Sequence, residues 1–472
     1  MTSEKLQNMR RTHSRLASFR AARFAVFLVC FGIAMTLGVV ASSATGPAPS
    51  FAAPKSYATG VGPLGLAVVD LNGDGEPDLA NANYGEGANS VSVLLNGGRG
   101  RFRNGREYDV GESPGSVAAG DLNGDRQPDL AVGNENADSV SVLFNSGDGT
   151  FPTRWDYATG DAPVSVAIGD LNGDGSRDLA SANFVVDDAN ITGVPGTVSV
   201  LLNRGDGRFL PKVDYRTGQR PHQVVIGDLT GDGKPDLATG NRSDTVSVLS
   251  NTGNGTFAPP VNYRAGSGPR AIAIADLNGD RRLDLATANT NVDVNTVSVL
   301  INRGDGTFRP KRDYRAGNGP FAISIGDLNG DRSGDVAVAV SSGNGVSVFT
   351  NKGDGSLLPR RDYRTGREPW SIAIADLTGD DKRDLVTANA GANSVSVLAN
   401  TTGLCTVPTV IGMVLAAAKR ALAHANCRVA KIRSVYSKDV RRGRVVSQTP
   451  RAGTVLPNRG RVSLVVSRGR KQ

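Results

Sequence analysis

Seven copies of one nine-residue acidic loop, D-L-[NT]-G-D-x-x-x-D, recur through most of this 472-residue chain and constrain its fold more than any other feature. Carboxylates stand at positions one, five and nine, with an amide or hydroxyl at position three. The first copy supplies Asp70, Asn72, Asp74 and Asp78, the second Asp121, Asn123, Asp125 and Asp129, and the third Asp170, Asn172, Asp174 and Asp178. Asp228, Thr230, Asp232 and Asp236 follow, then Asp276, Asn278, Asp280 and Asp284. The last two copies supply Asp327, Asn329, Asp331 and Asp335, and Asp376, Thr378, Asp380 and Asp384. Gly holds position four every time. Oxygen-bearing side chains at alternate positions of a tight loop suit a hard cation, and Ca²⁺ accepts about 6–8 such oxygens at ~2.3–2.6 Å. The expectation is up to seven structural Ca²⁺ ions, weakest where Thr replaces Asn.

Successive loops begin 51, 49, 58, 48, 51 and 49 residues apart, a period that signals a propeller or solenoid. Phe51, Phe102, Phe151, Phe209, Phe257, Phe308 and Leu357 each precede a Tyr by six positions. A Pro follows each Tyr by six, and the next loop starts seven later. From V-S-V to the next Phe or Leu is always eleven, so length varies only between the ninth-position Asp and V-S-V. Each repeat reads as four short strands, A to D: from the Pro into the loop, the D-L-A-x-A-N stretch, V-S-V-L-x-N, and Phe to Tyr. Gly-rich turns link C to D. Four strands in such a period fit a propeller blade. The last repeat lacks its own strand D, whereas FAAPKSYATG at 51–60 is a stray strand D at the other end. The expectation is a mainly β, seven-bladed propeller closed by this N-terminal strand, which removes an open edge.

These residues resemble the FG-GAP/VCBS family of calcium-binding β-propeller repeats, of the type found in integrin α-chain heads and many secreted bacterial proteins. The resemblance covers about 51–403. It is not to EF-hands, because position twelve lacks Glu (Asn81 and Val132 in the first two copies).

The two ends differ from this core. Residues 1–23 carry six Lys/Arg against one Glu, and an apolar run from Phe24 to Ala41 follows. Residues 1–44 are therefore a signal peptide or, uncleaved, a membrane anchor, and either places the rest outside the cytoplasm. Sec or twin-arginine export (Arg10–Arg11) both remain open. Cys405 and Cys427 are the only cysteine pair downstream, which in an exported domain favours a disulfide over two buried thiols. Residues 404–472 hold fifteen Lys/Arg and one acid, a charge of +14. An amphipathic helix near 413–426 and strands at RVAKI, GRVVSQ and RVSLVVS are expected there. The segment 404–468 (VPTVIGM, the helix, VVSQTPRAGTVLP, VSLVVS) resembles a PASTA domain, with 469–472 a basic tail. PASTA domains are associated with bacterial cell-wall peptides or β-lactams. Taking +5 for residues 1–50 and +14 for the tail from the total of +8 leaves −11 for the repeats. Seven bound Ca²⁺ would bring a self-repelling ring close to neutral.

Chemistry is sparse. The chain has three His, at 13, 222 and 424, and no Ser–His–Asp, Cys–His or phosphate-loop constellation. A polysaccharide lyase on a propeller scaffold is the alternative to a non-catalytic reading. Two Arg-Gly-Asp tripeptides, 204–206 and 303–305, fall in the structural C–D turn, whose second position is free to vary. The cationic tail suits an anionic surface. Its single aromatic, Tyr436, argues against nucleic acid. The informative variable position follows the repeated Pro and reads Leu64, Gly115, Val164, His222, Arg270, Phe321 and Trp370. It shares a face with the B–C connections, the longest within 179–197. His222, Arg270, Phe321 and Trp370 are the candidate ligand residues, for glycan, peptidoglycan or protein, or else a plug for the central channel. The whole reads as an exported, non-catalytic binding or adhesion protein.

Overall fold

Strand A of the first repeat, Pro63–Val69, starts at its Pro, where a missing N–H costs the ladder least. Strand B (Asp78–Asn83) and strand C (Ser90–Leu94) pair in turn, and strand D (Arg106–Asp109) forms the exposed outer edge. The chain, a computed structural model, is described over residues 46–103, 105–184, 194–291, 294–456 and 460–470. The expected N-terminal signal or anchor and residues 185–193 of the longest B–C connection lie outside the described residues.

Among the described residues, seven four-stranded antiparallel sheets of this plan follow one another, mainly β as expected. In the seventh, Pro369–Ala375, Asp384–Asn389 and Ser394–Leu398 are completed by Lys55–Ala58, with Tyr57 opposite Val395 and Ser56 opposite Ser396. Strand D is shorter than the pattern suggested. Its leading Phe instead makes an isolated bridge to the Asn ending strand C, as between Asn96 and Phe102 or Asn203 and Phe209.

Packing between sheets uses small and β-branched side chains, which let sheets lie close. Ala67, Ala80, Val91 and Val93 of the first sheet meet Val117, Leu130, Val132 and Leu143 of the second. Leu66, Leu79 and Leu94 of the first sheet also share a core with Ala373, Val386, Val395 and Val397 of the seventh. Tyr57, Tyr108, Tyr157, Tyr215 and Tyr263 of strand D each reach the next sheet. Tyr57 lies edge-on to Phe102 at 5.3 Å and donates to the Gly100 carbonyl at 2.6 Å. Tyr157 and Phe209 repeat the contact at 5.0 Å.

The middle Ser of V-S-V is buried and polar by design of the repeat. Ser141 accepts from Asn134 Nδ2 at 2.8 Å and donates to Asp156 at 2.6 Å. Ser199 does the same with Asn183 and Asp214.

The Asn at the end of strand C ties neighbouring sheets together. Asn145 Nδ2 donates to the carbonyls of Leu71 and Pro128, Asn203 to Leu122 and Arg177, and Asn302 to Leu229 and Leu283. Asn96 donates to Pro77 of its own repeat at 3.1 Å and to Leu377 of the last at 3.0 Å.

The second compact unit comprises Gly46–Phe51 with Thr401–Gln472. Its helix spans Leu415–His424, inside the expected 413–426. Val414 is still extended, and Asn426 sits at φ 54° just past the end. Ala418 and Leu422 face Cys405, Val407, Val445, Val462 and Leu464. Arg428–Val435 runs parallel to Arg461–Ser467, which pairs antiparallel with Val445–Thr449. The expected Cys405–Cys427 disulfide is present and ties a short strand, Cys405–Thr406, to the end of the helix. No helix among the described residues is long and apolar enough to cross a membrane.

Replacing Asn96 with Ala orphans the buried partners of one inter-sheet clamp, and an unsatisfied buried group costs roughly 1–3 kcal/mol. The expected loss is about 2–4 kcal/mol in denaturant unfolding of the repeats. A change under about 0.5 kcal/mol, the usual range for neutral surface substitutions, would mean the clamp carries no stability.

Candidate functional site

The acidic loops share one frame of hydrogen bonds and differ only around position three. The first carboxylate takes two backbone amides: Asp70 Oδ1 accepts from Gly73 at 2.8 Å and Oδ2 from Gly75 at 2.8 Å. All other copies repeat the pair, from Asp121 with Gly124 and Arg126 to Asp376 with Gly379 and Asp381. Position three closes on position five, as Asp74 N–H donates to Asn72 Oδ1 at 2.9 Å. Position five accepts from position seven, as Asp74 does from Glu76. Position nine is fully buried. Asp78 Oδ2 accepts from Leu71 at 2.9 Å and Oδ1 from Asn96 at 2.6 Å, joining the loop to the end of strand C.

Burial pushes the ninth carboxylate up to about 6 in Asp78, Asp129, Asp178 and Asp284 and to about 7 in Asp335. Its amide partners pull the other way, while the carboxylates at positions one and five add to the rise. In the two Thr copies, the position-three amide becomes a third donor, from Thr230 to Asp236 at 2.9 Å and from Thr378 to Asp384 at 3.0 Å. These loops satisfy their buried carboxylate best without help.

The donor chemistry, three carboxylates and an amide or hydroxyl within nine residues, fits a hard divalent cation. Among the described residues, no three Asp, Glu, His or Cys side chains converge as a ready-made cation site. In the five Asn copies the oxygens of positions one, three and five are turned onto backbone amides, so a cation would have to draw them inward. The loop is self-consistent as a polar turn.

Position six adopts left-handed backbone in every copy, with φ between 62° at Asp381 and 89° at Gly175. Gly fills it three times, but Arg126, Arg281, Arg332 and Asp381 fill the rest. A Cβ built on Gly75, Gly175 or Gly233 meets nothing within 4 Å, so the penalty of a side chain is purely conformational. Arg281→Gly should raise unfolding free energy by about 1 kcal/mol. Gly175→Arg should lower it equally, read by thermal melts of the two variants. Opposite signs would show that these Arg side chains stabilise the loop.

The variable position after the Pro gathers the other candidates. Arg270 lies over the Phe321 ring at 4.4 Å, and Phe321 stacks on Trp370 at 5.1 Å with planes 28° apart. Three adjacent sheets thus contribute one cation–aromatic–aromatic stack. Phe321 and Trp370 are 5% and 8% exposed, so little of either ring face is open. His222 is 1% exposed, tilted against Phe184 at 4.9 Å, and neither ring nitrogen has a hydrogen-bond partner among the described residues. Burial, then Arg270, Arg242 and Arg220, hold its pKa well below the usual imidazole range, so it is neutral. Burial and Arg242 lower Arg270 to about 9, which leaves it cationic at neutral pH.

The two Arg-Gly-Asp tripeptides are ordinary copies of the C–D turn. Gly205 (φ 91°) donates to Asn203 Oδ1 and Gly304 (φ 95°) to Asn302 Oδ1, while Asp206 and Asp305 accept from the amides two residues on.

The chain belongs to the FG-GAP-like repeat family, whose pattern matches residues 70–132, 121–181, 186–239, 228–287, 276–338 and 327–387. A PASTA domain matches 406–468. These are the parts of a binding or scaffold protein, with a domain of the cell-wall-binding type, and neither is a catalytic family. A probable serine/threonine-protein kinase of Clostridium acetobutylicum is 34% identical over 64 residues, which is 14% of this chain and 10% of the kinase. The chain therefore spans about a tenth of that relative. A crystal structure of BBS1N in complex with ARL6DN, soaked with mercury, has a TM-score of 0.51 at 12% identity. The likeness covers 75% of this chain and 97% of that one, and is one of fold alone.

Proposed function

We propose that this is an exported, non-catalytic binding protein: a closed seven-bladed, calcium-stabilised propeller that holds a ligand on one face, carried with a PASTA domain that engages the cell wall. The observation that carries the reading is the division of each repeat into a fixed end and a variable end. The loop end keeps the amide contacts of its first, fifth and ninth carboxylates in every repeat, whereas the start of strand A holds Leu64, Gly115, Val164, His222, Arg270, Phe321 or Trp370. Scaffolds that vary side chains at one edge while holding the frame rigid are suited to recognition.

Closure is supported by the shared core, the Tyr57 contact and the Asn96 bond between first and seventh sheets. Export is supported by the disulfide, which suits an oxidising compartment. The basic tail domain suits anionic wall polymers or other anionic surfaces outside the cell. Glycan, peptidoglycan and protein are the ligand classes for the variable face.

Calcium would be held by the carboxylates of positions one, five and nine with the Asn or Thr of position three. Bound to the folded state alone at about 100-fold over its Kd, an ion stabilises by ~2.7 kcal/mol. Chelator should lower the melting temperature of the repeats and calcium restore it, while magnesium at equal concentration does so less. An unchanged melt in excess chelator removes calcium from the proposal. A glycan and peptidoglycan array, probed with wild type and Trp370→Ala, tests the binding face. No hit sensitive to that substitution would move the ligand site elsewhere.

A further inference from the structure

The variable face contains a charge that the described residues do not balance. Arg242 follows strand B of the fourth sheet and Arg270 starts strand A of the fifth, and both act on the imidazole of His222. Arg270 is lowered by burial and by Arg242, and Arg242 by burial and by Arg220. No carboxylate among the described residues is an ion-pair partner of either Arg242 or Arg270. The Nε of Arg270 and both nitrogens of His222 are buried without a hydrogen-bond partner among the described residues.

A channel plug would not be built this way. The same backbone position accepts Leu64 and Val164, both fully buried, in the first and third repeats. An apolar residue there closes the space without placing like charges together. Water could satisfy unpaired donors, but water does not cancel the repulsion between guanidinium groups in a poorly solvated place. An anion does both. Guanidinium offers a planar donor fork matched to carboxylate, phosphate or sulfate, and one plane of Arg270 is already fixed by its contact with Phe321 at 4.4 Å. His222 can donate from one nitrogen while neutral.

We propose that His222, Arg242 and Arg270 form a binding site for an oxyanionic group, so that the ligand of this face carries a carboxylate, sulfate or phosphate. The proposal deepens the ligand-face reading above by naming the chemical class of the group recognised. Phe321 and Trp370 serve to hold Arg270 in position.

The test is calorimetric titration of the full chain with inorganic sulfate, inorganic phosphate, trigalacturonate and triglutamate, with neutral maltotriose as control. At least one oxyanion should bind and maltotriose should not, and the preferred probe tells inorganic, sugar and peptide sources apart. Arg270→Leu should weaken that binding at least tenfold while leaving the melt unchanged or raised, because Leu is native to the position. Arg242→Gln should weaken it as well. Asp187→Asn with Asp188→Asn, in the neighbouring connection and outside the described residues, should leave affinity unchanged. Three results overturn the inference: no oxyanion binding, binding indifferent to Arg270→Leu and so residing on the basic tail domain, or a tenfold gain in the double Asp variant, which would mean the chain supplies its own counter-ion. If the Trp370-sensitive array hits are neutral glycans and no oxyanion binds, this inference falls and the ligand-face reading stands.

Discussion

Everything regular in this structure depends on one buried carboxylate per repeat. The ninth-position Asp has no counter-ion in its own loop, yet it is buried, and it is held there by two amides from distant points, the loop's second residue and the end of strand C. Hydrogen bonds from amides to a carboxylate are charge-assisted and stronger than neutral ones. Asp78 therefore fixes where strand B begins, where strand C ends, and the direction of Asn96 Nδ2. That Asn then bonds the Leu carbonyl of the adjoining repeat. A single side chain thus couples the turn, the sheet and the contact between sheets. This explains why the loop tolerates Thr for Asn at position three and Arg for Gly at position six but keeps Asp at position nine throughout.

The repeat plan was legible because its spacing is rigid. Fixed intervals between Phe, Tyr, Pro and Asp translate directly into strands at constant places in each repeat, and the stray segment at 51–60 pairs with Ser394–Leu398 as its sequence suggested. The disulfide and the helix of the tail were legible for the same reason, a pattern of few residues with one arrangement that buries them. Strand D was drawn too long because Phe reads as a strand former. In the structure its ring is the buried partner of the previous sheet's Tyr, and its backbone turns back on Asn.

What the pattern did not disclose is polar. The Asn residues ending strand C read only as the last residue of a strand, yet they are buried bridges between sheets. Their recurrence one residue past V-S-V-L-x was the available signal. The left-handed backbone at position six was hidden because Arg or Asp stands there four times against three for Gly, and only φ reveals it. Equivalence of position likewise said nothing of how Arg270, Phe321 and Trp370 would arrange themselves. Side chains of that size on adjacent strands cannot all point outward, and they cover one another.

That covering changes what the face can offer. Aromatic rings stacked on each other have few open faces left for a sugar, so stacking is a weak source of affinity here. Donors with unused bonding capacity among the described residues of this face include a ring nitrogen of His222 and the Nε of Arg270. Buried donors without partners cost free energy in the free protein, and a ligand that satisfies them recovers it on binding. Specificity on this face would then follow from charge and donor geometry more than from apolar contact.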